Sequence, residues 1–308
     1  MLGYTLKRLA TELVSLFVLA TVTFFLVRLI PGSPFQNGGV SDQVVEAVEE
    51  EYGLNEPLFD QYLTYMGNLV HGDLGVSYQE PDTAVAEIIG RTWPVTVSLG
   101  LAALLAAVVL GTGLGILRAV SKSRIVREGI LAGGMLAAGI PNFAVAILLL
   151  LVFSVKLGWF PAAGLLTPAH YVLPVISLAL YPAAVISRLT GNTLSAELGK
   201  QYVLFARAKG LGRGRIIFTH ALKNAWIPVL NYVGPASAFL LTGSFVVESI
   251  FTIPGLGREF VSSITNRDYT LILGLTVFMG MVVILVNLVT DLVCAWMDPR
   301  MRRSYRGR

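Results

Sequence analysis

The sequence predicts an all-α membrane protein with six transmembrane helices and both termini on the cytoplasmic side. Three observations carry this reading. Of the 308 residues, 55% are hydrophobic and only 14% are charged, whereas a soluble domain carries nearer a quarter charged residues. The apolar residues fall in blocks long enough to cross a hydrocarbon core, which takes about 20 residues as helix. The basic residues collect on alternate sides of those blocks.

The six blocks are residues 9–30, 95–117, 130–155, 171–189, 226–247 and 270–296. Lys7 and Arg8 precede the first, as in a secretory signal. That block is longer than a signal's apolar region and ends in Arg28-Leu29-Ile30-Pro31 without a small-residue cleavage site, so a retained anchor is expected. The second block is rich in glycine (Gly100, Gly111, Gly113, Gly115), and Pro141, Pro182 and Pro235 lie inside others. Membrane helices tolerate both, and small residues let helices approach closely.

With the N-terminus inside, the inner segments collect Lys7 and Arg8, then Arg118, Lys122, Arg124 and Arg127. Next come Arg188, Lys200, Arg207, Lys209, Arg213, Arg215 and Lys223, and the tail adds Arg300, Arg302, Arg303, Arg306 and Arg308. Eighteen of the 23 basic residues thus lie inside, and only Arg28, Arg91, Lys156, Arg258 and Arg267 lie outside. This asymmetry fixes the orientation. The net charge of +4 reflects that placement, and no nucleic-acid partner is expected. A single cysteine, Cys294, excludes an internal disulfide, and His71, His170 and His220 are too far apart in sequence for a ligand spacing.

Four regions follow: a first helix to residue 30, an external segment 31–94, a five-helix domain 95–296 and a basic tail 297–308. The external segment holds eleven carboxylates, from Asp42 to Glu87, against one arginine. Glu46-Ala47-Val48-Glu49-Glu50-Glu51 reads as a solvated helix face. Pro57 suits the first turn of a second helix, with Leu58, Tyr62, Tyr65 and Leu69 at helical spacing. The segment is either a docking surface for an external partner or a small cap on the helices.

No phosphate-binding loop occurs. Gly199-Lys200 is followed by Gln201, and Gly210-Leu211-Gly212-Arg213-Gly214 has neither a preceding strand nor a following lysine. If ATP drives this protein, another chain binds it. The informative stretch is the inner loop between the fourth and fifth blocks, residues 191–225, which is too long for a simple connection. Residues 197–209 read as one amphipathic helix, with Leu198, Tyr202, Phe205 and Ala206 on one side and Lys200, Arg207 and Lys209 elsewhere. Gly210 is placed to end it in the left-handed conformation. Ile216-Ile217-Phe218 begins a second helical stretch. Such a loop either seats on a soluble partner or lies on the membrane with its basic residues on lipid headgroups.

Ala206-Arg207-Ala208-Lys209-Gly210-Leu211, followed by His220-Ala221-Leu222-Lys223-Asn224-Ala225 and Pro228, resembles the coupling-loop signature of ABC importer permeases, in particular the oligopeptide/dipeptide/nickel family. The general signature is E-A-A, three residues, Gly, nine residues and I-x-L-P. Ala206, Gly210 and Leu222 match it. Leu204, His220 and Lys223 depart from it as the peptide branch does. Further matches cover most of the chain: Leu29-Ile30-Pro31-Gly32-Ser33-Pro34-Phe35, Tyr52-Gly53-Leu54, Gln61-Tyr62, His71-Gly72-Asp73-Leu74-Gly75, Ile253-Pro254-Gly255-Leu256-Gly257, Asn266-Arg267-Asp268-Tyr269 and Asp298-Pro299-Arg300.

The resemblance implies a type I importer arrangement in a bacterial or archaeal cytoplasmic membrane. Two similar permease subunits enclose the pathway, two ATPase subunits bind ATP and magnesium, and an external solute-binding protein delivers cargo. This chain itself holds no cofactor and is not an enzyme. Its cargo is expected to be di- or oligopeptide, with nickel chelates or glutathione as alternatives. Coupling to the ATPase is expected at Tyr202, Phe205, Ala206, Arg207, Ala208, Lys209, Gly210, Leu211 and Leu222.

Carboxylates inside a membrane mark pathways or relays by default. Glu248 lies near the outer end of the fifth block, where it either reaches interfacial water or lines the pathway. Asp291, one turn after Asn287 in the sixth and near the inner end, either pairs with a basic cytoplasmic residue or lines the pathway. Pro254, Gly255 and Gly257 form either a plain turn or part of an outer gate. An ion-coupled secondary transporter would place ionisable residues at the midplane and often shows repeats, and neither occurs. A membrane-embedded protease would show H-E-x-x-H or G-x-S-x-G, and neither pattern is present.

Overall fold

The computed structural model describes residues 2–31, 34–35 and 42–297. The basic tail with Asp298-Pro299-Arg300, and Gly32-Ser33, lie outside the described residues. The chain is nearly all helical. In order, the helices are α1 (Leu2–Arg28), α2 (Asp42–Glu51), α3 (Leu58–Val70), α4 (Val85–Val120), α5 (Arg124–Gly139) and α6 (Asn142–Leu149), the last continuing as a π-helical turn (Leu150–Lys156). Then come α7 (Pro168–Leu198), α8 (Gln201–Ala208), α9 (Arg213–Arg215), a second π-helical turn (Ile216–Ala221), α10 (Leu222–Ala225), α11 (Ile227–Thr242), α12 (Phe245–Ile250), α13 (Leu256–Thr265) and α14 (Tyr269–Met297).

Five stretches are long and apolar enough to cross a membrane: Ala10–Arg28, Val85–Val120, Pro168–Leu198, Ile227–Ile250 and Tyr269–Cys294. Two of them outrun the expected blocks. α4 starts at Val85, ahead of Pro94, and α7 runs on to Leu198, because polar residues outside the hydrocarbon continue a helix at little cost. The block expected at 130–155 is not one helix. Arg124–Gly139 and Asn142–Lys156 meet at a bend of 97°. Ile140 precedes Pro141 and takes φ −95°, ψ 125°, since the proline ring excludes the preceding residue from the α region. The fifth span is also interrupted. Gly243 has φ +102° and ψ 142°, a conformation open to glycine, and the helix restarts at Phe245 as α12.

The contacts divide the chain into two compact units, Met1–Val95 with Pro254–Ile284, and Thr96–Ile253 with Leu285–Arg308. In the first, Val85, Ile88, Leu256, Leu271 and Leu275 form one core cluster. Phe24, Val27, Tyr269 and Ile272 form another, against which Tyr62 and Tyr65 pack. Helix α3 is thereby fastened to α1. Tyr65 stacks on Phe24 with centroids 5.5 Å apart, and the Tyr62 hydroxyl lies 2.9 Å from that of Thr21. Asp268, 1% exposed, accepts hydrogen bonds from the Ser77 hydroxyl and the backbone N–H groups of Gln79 and Leu271. It pins the turn before α4 to the start of α14.

The second unit is built on small residues. Ala107, Ala179, Ala183, Ile186 and Val229 form its central cluster, where α4, α7 and α11 meet. A Cβ on Gly111 would sit 2.7 Å from the Ala183 carbonyl oxygen and 2.8 Å from Ile186 Cβ, so only glycine fits there. Large apolar side chains such as Leu105, Val109 and Leu136 are exposed, as lipid-facing positions of a membrane helix are. Hydrogen bonds mark the two ends of this unit. Arg213 Nη2 donates to the Val120 carbonyl at 2.8 Å, just before α5. The Gly164 N–H, beyond the end of the bent pair, donates to the Phe251 carbonyl just after α12, also at 2.8 Å.

Candidate functional site

The loop between α7 and α11 is folded on itself. The expected single helix over 197–209 is instead the end of α7, a turn and α8. Lys200 is extended at ψ 155°, and its ammonium pairs with Glu197 at 2.6 Å. The same carboxylate accepts the Tyr202 hydroxyl at 2.8 Å. Burial, first of all, raises the Tyr202 phenol, which keeps it a donor to Glu197.

Val203 and Ala206 of α8 pack against Ile216, with Leu198, Tyr202 and Leu211 around them. Val203 is a residue the helical pattern missed. Its shift from the expected face follows from the break at Gly199-Lys200, which resets the phase of the helix. Phe205, placed with Ala206 on one side in the sequence reading, points elsewhere and is 68% exposed, while Ala206 is 8% exposed. Leu204 and Phe218 are exposed as well.

The end of α8 explains why Ala206, Gly210 and Leu211 recur together. Leu211 N–H donates to the Ala206 carbonyl at 3.2 Å and Gly210 N–H to that of Arg207 at 2.9 Å. This is the pair of bonds that closes a helix in a Schellman motif, with an apolar contact between the residues at its two ends. Gly210 supplies the left-handed residue, at φ +78°. Ala206 and Leu211 supply the apolar contact. Arg207, Ala208 and Lys209 are exposed. Leu222 leans on a second cluster, Leu194, Ile217, Ala221 and Ala225, which seats the loop against the end of α7.

The residues expected along a pathway are divided between the two compact units. Pro254, Gly255 and Gly257 belong to the first unit, and Glu248 and Asp291 to the second. The reading that Glu248 reaches interfacial water is corrected: it is 1% exposed and accepts from Thr96 Oγ1 at 3.1 Å and the Ser244 N–H at 3.2 Å. The break at Gly243 is the cause. It frees the N–H groups that start α12, and a carboxylate four residues on meets one of them. Gly243-Ser244 followed by Glu248 is the sequence signal that would have found this. Asp291 is half-buried in α14.

Within the second unit, the bend between α5 and α6 opens a cavity of about 500 Å³. Gly139, Ile140, Pro141 and Asn142 line it from the bend, Tyr181 and Pro182 from α7, and Tyr232, Phe239 and Leu240 from α11. Its walls are apolar except for Tyr181, Tyr232 and Asn142, the composition of a small-molecule site. None of these three was singled out from sequence. Tyrosines in the middle of apolar blocks, away from the interface, were the available signal.

Residues 111–303 match the family model described as "Binding-protein-dependent transport system inner membrane component", and residues 1–100 match that of its N-terminal part. The chain is 41% identical over 305 residues to the oligopeptide transport system permease protein OppB of Haemophilus influenzae, covering 98% of this chain and all of that one. It is 39% identical over 308 residues to the dipeptide transport system permease protein DppB of Bacillus subtilis, covering the whole of both. Among solved structures, the inward-facing MetNI methionine ABC transporter superposes with a TM-score of 0.55 at 18% identity, over 69% of this chain and 97% of that one. That likeness speaks for the fold. The family models and the full-length identities go further: this chain belongs to the inner membrane components of binding-protein-dependent transport systems.

Proposed function

We propose that this chain is one of two permease subunits of an ATP-driven importer of di- or oligopeptides in a bacterial or archaeal cytoplasmic membrane. ATP and magnesium belong to two separate ATPase subunits, and an external solute-binding protein delivers the cargo. The observation that carries the reading is the loop from α8 to α10. It is locked by its own cap and core, yet leaves Leu204, Phe205 and Phe218 exposed beside Arg207 and Lys209. A soluble ATPase groove accounts for an apolar surface on a rigid, basic loop. Ala206 and Gly210 act by holding the loop, and Phe205 by docking.

The peptide cargo rests on the names of the relatives. The cavity at the α5–α6 bend is the chain's contribution to the pathway, with Tyr181, Tyr232 and Asn142 as its polar members. Residues 31–94 remain the external segment and 95–296 the transport domain, with Pro254, Gly255 and Gly257 assigned to the outer gate. Reconstituted with its second permease subunit, ATPases and binding protein, the chain should support ATP-dependent peptide uptake into vesicles. Freed of the ATPases, it should neither bind nor hydrolyse ATP. Saturable ATP turnover by the chain alone would overturn the assignment.

Six crossings with both termini inside are supported by two facts. The bent pair starts beside the loop end of the second unit and finishes beside the end of α12, so it links opposite ends of the α11–α12 span. A non-crossing pair would also move the basic loop 191–225 outside, against the charge asymmetry. With Cys294 replaced, single cysteines at Glu49 and Trp159 should react with an impermeant thiol reagent on intact cells, and one at Arg213 should not. Labelling at Arg213, or protection at Trp159, contradicts the six-crossing topology.

A further inference from the structure

Helix α3 is apolar over about half its circumference, and the protein covers only part of that half. At about 100° per residue, Leu58, Tyr62, Tyr65 and Leu69 share one side, and Phe59, Leu63, Met66 and Val70 share the side next to it. Asp60, Thr64, Gly67 and Asn68 face away from both and are exposed. The tyrosine side packs on Phe24 of α1. On the adjoining side Phe59, Leu63 and Val70 are 64%, 51% and 81% exposed. A row of large apolar side chains left open on one helix face marks an interaction surface.

The contacts with α1 give the depth at which α3 lies. The span Ala10–Arg28 has 19 residues, or about 28 Å of helix at 1.5 Å per residue, which matches a hydrocarbon core of about 30 Å. Arg28 therefore stands at the outer boundary, its Cζ 5.4 Å from the ring centroid of Phe24 and 5.3 Å from that of Tyr269. Phe24 and Phe25 lie about 5 Å inside that boundary and Thr21 about 10 Å inside it. The Tyr62 ring is centred 5.5 Å from the rings of both phenylalanines, and its hydroxyl lies 2.9 Å from that of Thr21. A helix tied to α1 at that level lies beside the end of the span, not above it in water. Tyrosine favours this depth, where its ring is dry and its hydroxyl finds a partner.

The neighbouring surface of α1 is itself lipid-facing. Val22, Phe25 and Leu26 are exposed, and Tyr62 stacks on Phe25 of that surface. The open row of α3 continues it.

We propose that α3 lies along the outer boundary of the bilayer, with Phe59, Leu63 and Val70 among lipid acyl chains and Asp60, Thr64 and Asn68 toward water. An amphipathic helix in this position buries its apolar face about 5–10 Å deep. The placement rests on the crossing by α1 and on neither the cargo nor the ATPase. Asp60 is the one ionised side chain of α3 and no basic residue accompanies it, so apolar burial holds the helix and anionic headgroups add nothing. For α3, the external segment is thus a cap seated on lipid, and its apolar row is not a docking face for a protein.

The test is spin-label accessibility in phosphatidylcholine nanodiscs, on the full chain alone and after its assembly into the transporter. In a Cys294→Ser background, labels are attached through Phe59→Cys, Leu63→Cys, Val70→Cys and Thr64→Cys, with Val22→Cys on α1 as the lipid standard. All five positions are exposed, so the labels leave the packing intact. The ratio of collisions with oxygen, which dissolves in acyl chains, to collisions with a water-soluble nickel chelate should be at least about fivefold higher at residues 59, 63 and 70 than at 64. It should not change when phosphatidylglycerol is added to the discs. A ratio at Leu63 equal to that at Thr64, with a lipid-like ratio at Val22, puts α3 in water and overturns the placement alone. Loss of both kinds of collision at Leu63 on assembly gives the row to a protein partner and also overturns it. A water-like ratio at Val22 overturns the crossing by α1 on which the placement rests.

Discussion

Replacing Gly210 by valine is expected to lower ATP-driven uptake at least about tenfold while leaving the protein at normal levels in the membrane. At φ +78° a β-branched side chain meets the backbone and costs on the order of 1–2 kcal/mol. The strain falls on the turn that lets Leu211 close α8 and pack on Val203, Ala206 and Ile216. Apart from its two chain neighbours, no residue has a heavy atom within 4 Å of the position a Cβ would take there, so the variant tests conformation and not crowding. Gly210→Asn, whose side chain tolerates the left-handed region, should keep most of the activity. Phe205→Asp should give the same loss of transport by the other route. The side chain is exposed, so the loop keeps its fold and only the docking surface changes. Cargo-loaded binding protein should then no longer stimulate ATP hydrolysis in reconstituted vesicles. Parental uptake by both Gly210→Val and Phe205→Asp would return the loop to the lipid-facing reading.

The Ala206→Asp variant acts differently from either. Ala206 belongs to the loop's own core, so an aspartate there buries an unpaired charge and loosens α8 as a whole. Its transport defect says that the loop must be folded. It does not say that Ala206 touches a partner.

Gly111→Leu is expected to remove the folded protein from the membrane. The Cβ alone would lie 2.7 Å from the backbone oxygen of Ala183, and a backbone does not rotate away as a side chain does. α4 and α7 must separate, which undoes the packing of Ala107, Ala179, Ala183 and Ile186. Forced overpacking costs about 1–3 kcal/mol for added methylenes in a core, occasionally more, and a helix–helix contact through backbone belongs at the upper end. Gly113→Leu, two residues on, meets nothing within 4 Å and should accumulate at parental levels. The measurement is the monodisperse yield of each variant by fluorescence-detected gel filtration from the same membranes. Equal yields from the two variants would mean that the α4–α7 contact is not as close as the backbone places it.

The two variants mark the boundary between what the sequence shows and what packing adds. Hydrocarbon offers no hydrogen bonds, so a chain crossing it satisfies its backbone within each helix. An apolar run therefore reads directly as a helix, and the ends of five spans were legible to within about ten residues. Gly210 was legible for a similar reason, because a helix cap is a local bargain among six residues.

Other features were not local. Pro141 was visible, but a proline inside a membrane helix is compatible with a slight kink or a full bend. The 97° turn depends on α7 packing against both arms. The break at Gly199-Lys200 rephased α8, exchanging Phe205 for Val203 in the core. Glu248 became a buried acceptor only because Gly243 interrupts its helix next to Thr96. Arg28, which sequence counts as one of five outer charges, acquires its aromatic brackets from Phe24 of its own helix and Tyr269, far along the chain. By itself the sequence determined where helices form in this protein, since each residue's preference for lipid or water is its own. Only the tertiary structure decided which faces meet, which polar groups are buried and where the cavities lie, because those depend on residues that the chain brings together from separate elements.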